Sequence, residues 1–317
     1  MGISASAGYT PQLNSAALAS AQKPASAAPA KAAPSPQAAS SVEVSVVVSL
    51  SVQAQAMMSS REPAAASSSP YARYFPTRDG KPATALARAV SDPGAESLSA
   101  GKSLADVAKS ARASMDAQYD AMEKEGKPFD YNSFEGKDWY SLMGDLDRRA
   151  LHAVSSNADG LFSKQEQDMA QSIMSQQQGL AMGLYNGPIS QEGSFVDPHG
   201  GDNAARMKAG VAFLDKVSAD EKTSVPWAVN RASAQTSYEW IMSDRDEPTE
   251  NLDSDVPLAK LLKSAMATMK GDSERGISSG RIETIEDIKQ QAWFKGFEDR
   301  LGPAIQATRK QLLPDAA

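Results

Sequence analysis

Along residues 104–122 the apolar positions recur at spacings of three and four: Leu104, Val107, Ala108, Ala111, Met115, Tyr119 and Met122. That period puts one apolar stripe along a helix. Ser103 with Asp106 supplies a capping box at its start, and Gly126 a stop. The same reading predicts a second helix over 138–154, with Leu142, Leu146, Ala150 and Leu151 inward. A third starts at Ser163 and carries Met169, Ala170, Ile173, Met174 and Leu180, and a fourth covers 204–217. Ser218 and Glu221 cap the next, which has to bend or restart at Pro226 because proline lacks the donor a helix interior needs. A helix over 257–270 turns Leu258, Leu261, Leu262, Ala265, Met266 and Met269 inward. Thr284 and Asp287 open a last long helix through Ile285, Ile288, Ala292, Trp293, Phe297 and Leu301, which Gly302-Pro303 kinks or resets. Six or seven helices and no convincing sheet predict an all-α, multi-helix, bundle-like fold, arranged as one domain over about 80–312.

The pattern before residue 70 is different. Ala, Ser, Pro and Gln dominate 1–70, with Glu43 and Glu62 as its acids. Such a composition buries too little apolar area to offset the entropy of ordering, so the segment is expected to be a disordered tail. Within it Val42, Val44, Val46, Val48, Leu50 and Val52 alternate with polar residues, interrupted by Val47. Period two predicts a strand over 42–52. A lone strand needs an edge to pair with, so this one is expected to meet "YARYF" at 71–75 or another protein, a partner or a secretion chaperone.

Composition removes several function classes. The chain has no cysteine, which excludes thiolate chemistry, and only His152 and His199 as imidazoles, too few for a multi-histidine zinc site. A net charge of -7 without a dense Lys/Arg run argues against nucleic acid as a partner. No run approaches the ~20 apolar residues of a transmembrane segment. No basic start followed by an apolar stretch marks a Sec-type signal peptide, so the expectation is a cytoplasmic chain or one secreted by another route. The acid-poor Ala/Ser/Pro tail resembles the delivery segments of bacterial type III effectors, which implies an exported interaction protein.

The segment "SSNADGLFSKQE" at 155–166 carries the candidate chemistry. Ser155, Asn157 and Asp159 stand at its first, third and fifth places, and Gly160 at the sixth, where the chain must turn. Leu161 offers a carbonyl at the seventh place, Ser163 a hydroxyl at the ninth, and Glu166 a carboxylate at the twelfth. With a helix on each side, residues 138–174 resemble an EF-hand. The resemblance implies calcium as cofactor, with Ser155, Asn157, Asp159, Leu161, Ser163 and Glu166 as ligands. The family's first residue is an aspartate. With Ser155 there, two carboxylates remain, and a dissociation constant on the order of 10⁻⁴ to 10⁻³ M is expected. The same letters also describe an Asn-Ala-Asp-Gly turn feeding a helix that Ser163 and Glu166 cap.

Other constellations are weaker. "DPHGGD" places Asp197, His199 and Asp202 in one loop, which fits a helix cap better than a metal or a general base. His152 reads as a surface histidine. The functional readings are therefore a calcium-binding, non-enzymatic helical protein, an exported interaction protein without metal, or a helical enzyme whose carboxylates the pattern does not single out.

Overall fold

The computed structural model describes residues 69–269 and 282–314, and among them the regular structure is helical throughout. The tail and the 42–52 alternation lie outside the described residues. Twelve α-helices follow in order: α1 (Thr84–Ser91), α2 (Leu104–Lys124), α3 (Lys137–Met143), α4 (Arg148–Ser155), α5 (Lys164–Ala181), α6 (Ile189–Glu192), α7 (Asn203–Lys216), α8 (Ala219–Lys222), α9 (Val225–Asp244), α10 (Pro257–Met266), α11 (Ile285–Lys289) and α12 (Glu298–Leu312).

The predicted starts are where the sequence signals put them. Ser103, Ser163, Ser218 and Thr284 each accept the N–H of the residue three further on, which satisfies a donor the helix leaves orphaned. Ser163–Glu166 and Thr284–Asp287 are complete capping boxes. Ser218 and Glu221 form half of one, because the Glu221 side chain turns away to Arg148.

Two predicted helices divide. The 138–154 pattern splits into α3 and α4, with Asp147 as the N-cap of the second. The inward spacing of Leu142, Leu146 and Ala150 runs across the break, and all three are buried, so periodicity alone does not reveal it. Besides the Ala150 N–H, the Asp147 carboxylate accepts the N–H groups of Ser97 and Ser99 and the Ser99 hydroxyl. It thereby ties the loop before α2 to the start of α4. The long last helix likewise becomes α11, a single turn at Ala292–Phe294, and α12. The break coincides with Gly296 at φ 91, a conformation that favours glycine. Pro303 falls inside α12 rather than ending a helix there.

Among the described residues two large apolar cores result, beside a small cluster of Met182, Ala204, Met207 and Tyr238. One gathers the inward faces of α1–α5, among them Leu86, Val107, Met115, Leu142, Leu151, Ile173 and Leu180. The other gathers α7, α9, α10, α11 and α12 around Leu214, Trp227, Leu258, Leu262, Ile288, Phe294 and Leu301. The polar side chains of α4 and α5 face those of α8 and α9 along the seam between them.

Candidate functional site

The six residues of the 155–166 loop are close in sequence, and the five polar side chains among them already have partners. Ser155 Oγ donates to the His152 carbonyl, 3.1 Å away. Asn157 Oδ1 accepts the Phe162 N–H at 3.0 Å, closing the turn. Asn157, Asp159 and Gly160 all have positive φ (51°, 60° and 68°), which makes a sharp corner. Asp159 points at Lys109 on α2, 3.9 Å away, and Leu161 is 37% exposed.

Glu166 is the most constrained of the set. Its Oε2 accepts the Ser163 N–H at 2.8 Å and the Ser163 hydroxyl at 2.9 Å. Its Oε1 accepts Arg112 Nη1 at 2.8 Å and the Tyr119 hydroxyl at 3.2 Å, both from α2. Burial by itself would raise the Glu166 carboxyl, but Arg112 and the Ser163 donors outweigh it and hold it below its ordinary value. Both carboxylates of the set already face a cation, so a divalent ion would have to displace Lys109 and Arg112 to reach them. Among the described residues no group of three or more His, Asp or Glu side chains is placed to hold a metal ion.

The "DPHGGD" loop is also internally satisfied. Asp197 accepts the N–H groups of His199 and Gly201 and pairs with Arg206 at 2.7 Å, while Asp202 caps α7. His199 Nε2 lies 3.2 Å from the Ala181 carbonyl. Gly183, at φ 73°, lets this loop approach the end of α5, since a Cβ there would meet Asp197 Oδ1 at 2.1 Å.

The more informative site is one the sequence did not announce. A cleft of about 350 Å³ opens along the seam, with α4 and α5 on one side and α8 and α9 on the other. Arg148 and Glu221 form its floor as an ion pair whose side chains are 3% and 5% exposed. Arg148 meets Glu221 through Nε and Nη2 at 3.0 and 2.7 Å, and Nη1 donates to the Met174 carbonyl and to Gln177. Its guanidinium stacks over Phe213, 4.7 Å from the ring centre. Such a pair is tolerated out of water because its hydrogen bonds are nearly complete.

One turn along α4 from Arg148, His152 also lines the cleft and is 8% exposed. The expectation of a surface histidine is therefore corrected: α4 turns Arg148 and His152 inward together, toward acids on α8. Burial pushes the imidazole below its ordinary pKa, with Arg148 and Arg149 acting in the same direction and Glu221 and Asp220 opposing. The shift favours the neutral form of the ring. Among the described residues it takes no hydrogen-bond partner. Around it the walls carry the amides of Gln171, Gln178 and Asn230, with Met174, Leu214 and Trp227 as apolar surface. Lys164 at the rim is paired with Asp168, so both cations of the lining face a carboxylate, and Glu283 adds one more acid.

No family model, curated protein or solved structure matches this chain.

Proposed function

We propose that this chain is a non-enzymatic helical binding protein whose working site is the seam cleft. Its ligand is a small uncharged molecule rich in hydroxyl or amide groups. The observation that carries this reading is the His152 imidazole, buried, lining the cleft, and without a hydrogen-bond partner among the described residues. Buried polar groups are almost always hydrogen-bonded, so one left open toward a cleft invites a donor or acceptor from outside the fold. The paired charges of the lining favour an uncharged ligand, because an ion would have to compete with Arg148–Glu221 or Lys164–Asp168. The wall amides and the apolar patch of Met174, Leu214 and Trp227 suit the edges and faces of such a molecule.

Binding is favoured over catalysis by the serines beside His152. Ser155 and Ser156 both donate to the His152 carbonyl and not to its ring, so no nucleophile is poised against the base.

The test is a melting experiment on the full chain with hexoses, N-acetylated hexoses and nucleosides at millimolar concentration. At least one class is expected to raise the melting temperature. His152→Phe, which keeps the volume and removes the polar atoms, is expected to abolish that rise while retaining the helical circular dichroism. A panel that leaves the wild type unmoved, or a variant that responds as the wild type does, would contradict the assignment.

A further inference from the structure

The corner at 155–166 has the outline of a calcium loop, yet its two carboxylates are each met by a cation from the same helix. Lys109 Nζ lies 3.9 Å from Asp159, and Arg112 Nη1 lies 2.8 Å from Glu166. One turn separates the two bases on α2, so a single helix face delivers both charges to the loop. Arg112 is seated further by the rings of Tyr119 and Phe162, at 5.8 and 5.7 Å from its guanidinium carbon. Phe162, at the loop's eighth place, is itself in the core at 5% exposure. Seating the guanidinium leaves its Nε–H buried without an acceptor, a cost the contacts to Glu166 and Asp116 have to offset.

We propose that Lys109 and Arg112 supply the positive charge an ion would otherwise bring, so that the loop closes without metal and gains affinity for calcium as each of those side chains is removed. The physical basis is charge balance. Two carboxylates each facing a cation have less to gain from a divalent ion. The same carboxylates, stripped of their partners in a corner already turned at Asn157, Asp159 and Gly160, repel each other and gain from one. Lysine at 109 contributes a screened surface charge, its side chain being 63% exposed, whereas Arg112 at 21% holds the geometry.

The experiment compares thermal melts of the full chain with and without millimolar calcium, against sodium chloride of equal ionic strength. The wild type is expected to melt at the same temperature in both. The double variant Lys109→Gln/Arg112→Gln is expected to melt lower than wild type in the absence of calcium and to recover part of the loss with calcium but not with sodium. If the double variant does not fold, Lys109→Gln alone, altered at an exposed side chain, carries the same comparison with a smaller expected rise. A calcium-dependent rise in the wild type would overturn the proposal. So would a variant that melts like wild type without calcium, or one that ignores calcium.

Discussion

Replacing Arg148 with alanine is expected to destabilise the protein by about 3–5 kcal/mol, the usual result of leaving one partner of a buried pair uncompensated. The Glu221 carboxylate, 5% exposed beside the arginine, would lose its guanidinium bonds, and Gln177 and the Met174 carbonyl would each lose a donor. For a folded region of this size each kcal/mol moves the melting temperature by roughly 2–4 °C, so a drop of about 10 °C is expected in a calorimetric scan. Adding Glu221→Gln should recover a sizeable part, since the stranded charge and not the missing contact dominates. A loss under about 1 kcal/mol would mean that water reaches Glu221 when the arginine is removed. The floor of the cleft would then be less secluded than its geometry indicates.

Asp147→Ala is expected to cost about 2 kcal/mol or more. The N-cap of α4 accounts for about 1 kcal/mol of that. The rest comes from the N–H group of buried Ser99, left without an acceptor at about 1–3 kcal/mol, whereas water can replace the acceptor of the exposed Ser97. Asp147→Asn should retain the cap and lose less. Burial would raise the Asp147 carboxyl, but its backbone and serine donors prevail and hold it below the ordinary value. The sign follows: a carboxyl depressed in the fold stabilises above its unfolded pKa, and the contribution is lost as pH falls through the folded value. Glu166 acts in the same sense. His152 adds to it from a higher pH, because the unfolded chain takes up its proton first below about 6.5 while the buried ring resists. Urea melts at pH 7 and pH 5 should therefore show lower stability at pH 5, with His152→Phe reducing the difference.

The helices were legible because their signals are local. Ser103, Ser163, Ser218 and Thr284 announce starts within four residues, and the apolar stripes of α2, α5 and α10 survive in the folded core. Breaks were less legible. Leu142, Leu146 and Ala150 keep helical spacing across a gap that Asp147 makes with partners about fifty residues earlier, so local pattern and tertiary bonding disagree there. The 155–166 segment was recognisable as a corner, and both of its readings share the Ser163–Glu166 box. Arg112, which pairs with Glu166, lies 54 residues from it, and nothing in the letters around it marks it as a partner. His152 was misjudged for a similar reason. A polar residue on an amphipathic helix is ordinarily placed in solvent, and the acids that share its seam, Asp220 and Glu221, belong to a helix of four residues far along the chain. The spacing of Arg148 and His152 on one face of α4 was the available hint.

The seam cleft as a ligand site is tested most directly by the imidazole signals of the two histidines in the folded chain, followed by nuclear magnetic resonance. In the free protein the His152 signal is expected to titrate below the ordinary value of about 6.5. On addition of the hexose, N-acetylhexose or nucleoside class that raises the melting temperature, His152 should shift in a saturable way while His199, bonded to the Ala181 carbonyl outside the cleft, stays in place. A His152 signal that remains fixed while such a ligand binds would place the site elsewhere and contradict the account.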